Sequence, residues 1–263
     1  DRYLMERRPH LLLEGALIAM RALGIREGYV YLREEYATSR HRIEAALAEL
    51  REAGHLDGLT RELQVGAGAY IAGEETGMLE SMEGRRAMPR LKPPFPTQFG
   101  HLGRPTLINN VETLCHVPAI VGNGGAWWAA LGTGEAKGTR LWSVSGCVAE
   151  PGSFEAPNGI TLRELIEEHA GGLSDEVGAI VPGGAASGIL PPDALDVPLT
   201  REGLAPYGCG VGSAAVQVFP ASYPPLRLLA ETMRFFAEES CQKCTPCRIG
   251  TQRLAERLEG KAG

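Results

Sequence analysis

Leu63-Gln64-Val65-Gly66-Ala67-Gly68-Ala69-Tyr70-Ile71-Ala72-Gly73-Glu74-Glu75-Thr76 runs from a strand pattern through a glycine-rich turn into an acidic helix start. Glycines after a strand let a backbone come close to a phosphate or a flavin ring, and free N–H groups at a helix start favour anions. The spacing is not G-x-G-x-x-G, so a plain tight strand–helix turn stands beside that reading. Glu74 and Glu75 complement the helix dipole on the plain reading. On the functional one they face a ribityl chain or a nicotinamide ribose.

Upstream, Leu13, Leu17 and Met20 recur at helical spacing across 11–23, and Gly24 fits the stop. Residues 28–32 read as a short buried strand. Ile43, Leu47 and Leu50 mark a second helix that ends at Gly54. Helix–strand–helix–strand order predicts an α/β fold, a parallel sheet with covering helices.

Downstream, 84–110 loses periodicity, and its proline-rich part, 88–99, reads as an ordered functional loop. Lone residues such as Lys92 and Phe95 are ordinarily surface or core, but rigid prolines around them favour a preorganised site. Asn109-Asn110 reads either as a turn or as amides aimed at a phosphate or ring edge. Residues 111–131 are helical, interrupted at 122–125. From 138 the texture becomes β-rich: strands at 141–148 and 177–181, a turn at Pro151-Gly152, and a capping box at Thr161-Leu162-Arg163-Glu164. This predicts a β-grasp-like insert. A last strand follows at 211–219. Then comes a helix with Leu229, Met233 and Phe236 on one face, and a second opening at Thr245-Pro246 as N-cap and first position.

Cys241-x-x-Cys244-x-x-Cys247 is the most specific signal. Two successive C-x-x-C spacings let three thiolates converge on one cluster, with Lys243, Arg248 and a helix start supplying positive charge. Zinc needs a fourth ligand that no second C-x-x-C or His pair provides. Cys209 is a possible fourth ligand, but it precedes these helices. A segment beyond Gly263 is where the fourth ligand is expected.

Composition narrows the class. A formal net charge of −6 with no basic run excludes phosphate-driven nucleic-acid binding. No apolar run reaches the length of a membrane span. Asp1-Arg2-Tyr3 is charged from the start, unlike a signal peptide, and without an initiator Met the chain reads as a fragment. Clustered rather than spread cysteines fit metal or redox use in a cytoplasmic or matrix setting. The six histidines are scattered, and no general acid or base is assigned.

Read together, GAGAYIAGEET (66–76), PRLKPPFP (89–96), NNVETL (109–114) and ESCQKCTPCRIG (239–250) resemble the NADH-oxidising flavoprotein subunit of respiratory complex I (51 kDa), NAD-reducing hydrogenases and NAD-dependent formate dehydrogenases. PGGAASGILP (182–191) and VGSAAVQVF (211–219) look most like the formate dehydrogenase β subunit. The resemblance implies four segments: a Rossmann-like FMN-binding domain with its N-terminal part missing (1–137), a β-grasp (SLBB-type) domain (138–185), a connecting segment with the last strand (186–225), and a helical, truncated [4Fe–4S]-binding bundle (226–263). It implies FMN contacts from Tyr70, Gly73, Glu74, Glu75, Ile108, Asn109, Asn110 and Thr113. NADH contacts would come from Glu75, Lys92 and Phe95, and three of four cluster ligands from Cys241, Cys244 and Cys247. Hydride would pass between NAD(H) and FMN, and single electrons between FMN and the cluster. The implied partners are a thioredoxin-like [2Fe–2S] subunit and a larger catalytic subunit. The family's glycine-rich FMN loop and acidic NADH stretch are expected upstream of Asp1. Ala72 stands where the family usually has cysteine. A reading of another class is a non-catalytic scaffold held by structural zinc.

Overall fold

Pro9 sits at the first position of a helix, where its missing N–H is no loss, and Leu12, Leu13, Leu17 and Met20 bury one stripe of that helix. A computed structural model describes residues 1–56 and 60–262. In chain order the elements are α1 (Arg2–Arg7), α2 (Pro9–Ala22), β1 (Glu27–Arg33), α3 (Ala37–Glu52), β2 (Thr60–Gly66), α4 (Glu75–Met82), α5 (Val111–Asn123) and α6 (Gly125–Ala129). They continue with β3 (Thr139–Gly146), β4 (Gly152–Pro157), α7 (Leu162–Glu164), β5 (Val177–Val181), α8 (Arg201–Leu204), β6 (Ala215–Pro220), α9 (Pro225–Glu239) and α10 (Gln252–Ala262). The chain divides into two compact units, Asp1–Gly122 with Phe235–Gln252, and Asn123–Arg234 with Arg253–Gly263.

In the first unit β1 and β2 pair in parallel from Glu27↔Thr60 to Arg33↔Gly66, as the helix–strand alternation predicts. Met5, Leu12, Leu13, Leu17, Leu32, Ile43, Ala46, Leu47 and Cys115 form its apolar core. The two helix stops fall where expected, at Gly24 and Gly54, each with positive φ. The strand at 28–32 differs from its sequence reading. Only Leu32 is fully buried, because among the described residues the sheet has two strands and no third strand covers β1.

Gly15 is required by close approach. A Cβ built there would stand 1.8 Å from the Leu114 carbonyl oxygen, in the first part of α5. Gly15→Ala is expected to destabilise by about 2 kcal/mol, since overpacking costs about 1–3 kcal/mol and the better helix propensity of alanine returns at most about 1. Urea unfolding reads this directly, and an unshifted midpoint would refute the close contact.

In the second unit the sheet order is β4-β3-β6-β5. β3 pairs antiparallel with β4 and parallel with β6, and β5 is antiparallel to β6. Trp142, Leu162, Leu165, Ile180, Leu190, Val216 and Val218 fill its core. The Thr161 capping box is formed on both sides. Two sequence expectations change. The stretch that reads only as a turn at Pro151-Gly152 continues into the strand β4, since its alternating, proline-bounded sequence belongs to a sheet edge. The last strand, expected in a connecting segment at 186–225, lies inside the sheet, so a boundary at 185/186 cuts between two paired strands. The reason is that β6 bonds to both β3 and β5, a pairing set by non-local contacts.

Candidate functional site

Glu74 is the N-cap of α4. Its Oε2 accepts from the Thr76 N–H at 2.9 Å, the Gly77 N–H at 2.8 Å and the Thr76 hydroxyl at 2.5 Å. Its Oε1 accepts from Lys92 Nζ at 3.0 Å, and Lys92 also reaches Glu75 Oε1 at 2.8 Å. Burial works to raise the Glu74 carboxyl, but Thr76, Gly77 and Lys92 outweigh it and hold it below the usual carboxylate range. Glu75 first and Glu74 second push the Lys92 ammonium up. The site is therefore two carboxylates sharing one cation at a helix start. Gly73, just before the acid pair, is open: an added Cβ would meet nothing within 4 Å.

The loop carrying Lys92 and Phe95 is held by Arg90. Its guanidinium donates to Glu80 at 2.5 Å, Glu83 at 2.9 Å and the Gly100 carbonyl at 3.0 Å. Arg85 pairs with the same two carboxylates. The Arg85 guanidinium, then Arg90, draws the Glu80 carboxyl down to about 2 against the opposing effect of burial. Phe95 and Tyr70 present rings to solvent. Ala72, in the turn Tyr70–Gly73, is buried.

The cysteine segment belongs to the same compact unit and is tied to both sides of this site. The Tyr70 N–H donates to Glu239 Oε2 at 2.9 Å, the Tyr70 ring meets Phe235 edge-on at 5.0 Å, and Lys243 Nζ donates to the Pro89 carbonyl at 2.7 Å. Cys247 lies in the first helical turn after Pro246, as expected. The neighbouring Cys244 thiol, then burial and Cys241, push the Cys247 thiol up. Among the described residues no three His, Cys, Asp or Glu side chains already stand as a metal-binding group. A donor set of three soft thiols fits an iron–sulfur cluster, which would draw them together. It equally fits part of a zinc site.

Two local expectations are corrected. Thr245 makes no capping bond and is itself helical, because the turn starts one residue earlier with Arg248 N–H on the Cys244 carbonyl. Helix α9 buries Leu228 and Ala230 and leaves Leu229 exposed, while Met233 and Phe236 are half-buried, so Leu229 drops out of the predicted inward face.

Of the sequence candidates, Glu74, Glu75 and Lys92 come into direct contact. Asn110 caps α5, accepting from the Glu112 N–H at 2.8 Å, and its amide donates to Asp1 at 2.9 Å. No hydrogen bond or ion pair among the described residues joins Phe95, Asn109 or Thr113 to the acid pair. Ile108 and Asn109 instead line a groove of about 490 Å³ with Leu12, Tyr29, Met78 and Leu107. Sequence reasoning misses Thr76, Glu80, Glu83 and Arg90 as the supports of the site. Arg90 sits two residues before Lys92 in a proline-bounded stretch, and that placement is the one signal that could have pointed to it.

Residues 1–119 match the Nuo51 FMN-binding domain, 142–189 the SLBB domain, and 227–262 the NADH-ubiquinone oxidoreductase-F iron–sulfur binding region. An F-type subunit of the NADH-quinone oxidoreductase of Rhizobium meliloti (strain 1021) is 46% identical over 276 residues, covering 100% of this chain and 66% of the relative. Its counterpart in the Escherichia coli (strain K12) enzyme is 44% identical, with 100% and 63% covered. A chain of an NAD⁺-reducing [NiFe]-hydrogenase crystallised in the H₂-reduced state is 41% identical with a TM-score of 0.91, covering 100% of this chain and 45% of that one. The chain thus spans about two thirds or less of the relatives it matches.

Proposed function

Because the chain belongs to the family of complex I 51 kDa-type FMN and [4Fe–4S] NADH-binding subunits, also represented in NAD-reducing hydrogenase, we propose that it is the diaphorase portion of an NAD-linked oxidoreductase complex. The observation that carries this is the juxtaposition inside one unit of the Glu74–Glu75–Lys92 cluster, open at Gly73, with a cysteine segment anchored to Tyr70 and Pro89.

The chemistry supplied by the bound groups is two-electron exchange with nicotinamide at FMN and one-electron transfer at the cluster. The protein's own part is positioning. Gly73, Tyr70, Glu74, Glu75, Ile108, Asn109, Asn110 and Thr113 are the proposed FMN contacts. Glu75 accepts from ribose hydroxyls, and Lys92, released from the carboxylates, meets the nucleotide's oxygens. Phe95 offers an exposed ring for stacking on the nicotinamide or adenine. Cys241, Cys244 and Cys247 would hold the cluster, with Lys243 and Arg248 contributing positive charge. The proposed partners are an iron–sulfur subunit of thioredoxin-like type and a larger catalytic subunit. Among the described residues no helix is long and apolar enough to cross a membrane.

Lys92→Met in the native complex is expected to raise the KM for NADH about tenfold to a hundredfold, as the loss of a charge-assisted pair implies. FMN content should be unchanged. A KM equal to the wild type would remove Lys92 from the nucleotide site. The host complex is a finer question. Segments 182–191 and 211–219 support a formate dehydrogenase, whereas the relatives named above come from quinone reductases and a hydrogenase. Metal analysis of the native complex decides: molybdenum or tungsten marks formate dehydrogenase, nickel the hydrogenase, and neither, with quinone reduction, a complex I.

A further inference from the structure

We propose that Thr76 is the positioning residue that sets Lys92 against the carboxylate pair, through a hydroxyl shared between helix α4 and the proline-rich loop. The inference rests on the nucleotide reading of Glu74, Glu75 and Lys92. Thr76 occupies the first turn of α4, where a threonine hydroxyl ordinarily meets solvent or its own helix. Here the residue is 1% exposed. Its Oγ1 accepts the Arg90 N–H at 2.8 Å, from a segment 14 residues downstream, and donates to Glu74 Oε2 at 2.5 Å.

The direction of these bonds is unambiguous. A backbone N–H only donates, so the hydroxyl must accept from Arg90, and its single proton goes to the ionised Glu74. The other oxygen of Glu74 takes Lys92, which follows Arg90 by two residues. Arg90, Thr76, Glu74 and Lys92 therefore close a ring of three hydrogen bonds and two residues of chain. Glu80, in α4, and Glu83, just after it, hold the Arg90 guanidinium, while Thr76 holds the N–H and Lys243 the carbonyl of the Pro89–Arg90 peptide, just before Lys92. Without the hydroxyl, the Arg90 N–H loses its partner and Glu74 loses one of its donors. The Lys92 ion pairs with Glu74 and Glu75 then lose one of the anchors that set their position.

The test compares Thr76→Val, which keeps the shape, with Thr76→Ser, which keeps the hydroxyl, in the full-length subunit of the native complex. Hydrogen–deuterium exchange of peptide 88–95 is expected to be about tenfold faster at the Arg90 amide in the valine variant and within about twofold of wild type in the serine variant. The KM for NADH is expected to rise about tenfold in the valine variant, equivalent to about 1.4 kcal/mol, with kcat within about threefold. Should the valine variant fail to accumulate, Thr76→Ala carries the same expectation. Wild-type exchange and KM in the valine variant overturn the proposal, and so does a serine variant as impaired as the valine one. A wild-type complex that binds no NADH sinks the nucleotide reading instead, while the exchange comparison still decides the role of the hydroxyl.

Discussion

Cys244→Ala is expected to strip the protein of its iron, from about four atoms per chain to near zero, with loss of acid-labile sulfide and of visible absorbance. On the proposed assignment the variant would keep two thiols of this segment and the expected fourth ligand, one short of the four that a cuboidal cluster takes. Cys244 is the middle of the three cysteines, and its thiol is exposed. Electron delivery from NADH to the complex's natural acceptor should fall more than about a hundredfold, since the one-electron path proposed above would run through the cluster. Reduction of ferricyanide by NADH should stay within a few fold, since Glu74, Glu75 and Lys92 lie on other segments of the unit. Cys209→Ala, in the second unit, should leave iron content unchanged. Iron retained by the Cys244 variant would refute the ligand assignment. Stoichiometric zinc in a colourless wild-type protein would replace the redox reading with a structural one.

Arg90→Met is expected to cost about 3 kcal/mol of stability, because the guanidinium is largely buried and removing one partner of a buried pair costs about 3–5 kcal/mol. It bridges two carboxylates, of which the Glu83 side chain is 6% exposed and Glu80 16%. Partial exposure, with Arg85 remaining, places this change at the lower end of that range. Chemical denaturation of wild type and variant gives the difference, and a loss below about 1 kcal/mol would contradict the assignment.

The same cluster dictates a pH dependence. Glu80 has a folded-state pKa of about 2 against an ordinary 4.5. A depressed carboxylate stabilises the fold fully above the unfolded value and loses that contribution as pH falls through the folded one. Wild-type stability should therefore decline between about pH 4.5 and pH 2. The shift corresponds to about 3 kcal/mol at most, reduced to about 2 by solvent around Arg85. In the methionine variant this decline should be shallower, because one of the two cations that depress Glu80 is gone. Equal slopes would mean that Arg85 alone accounts for the low pKa.

Local signals are legible in the sequence because they depend on neighbours along the chain. The period of α2 and α3, the stops at Gly24 and Gly54, the Thr161 capping box and the cysteine spacing all follow from bonding within a few residues. The long segments 66–76, 89–96 and 239–250 likewise identify the family, since each carries residue types that serve no ordinary turn or core.

Tertiary structure decides what depends on distant partners. The position of β6 inside the second sheet, the missing cover over β1 among the described residues and the inward face of α9 are set by non-local packing, which period alone does not encode. The site shows the same division. Glu74, Glu75 and Lys92 are legible as chemistry on two separate segments, but their shared ion pair is not. Along the chain, Thr76 and Arg90 read as a helix-start threonine and a surface arginine. Only the folded chain brings residue 90 onto residue 76 and residue 239 onto residue 70, because a hydrogen bond is specified by geometry and not by composition.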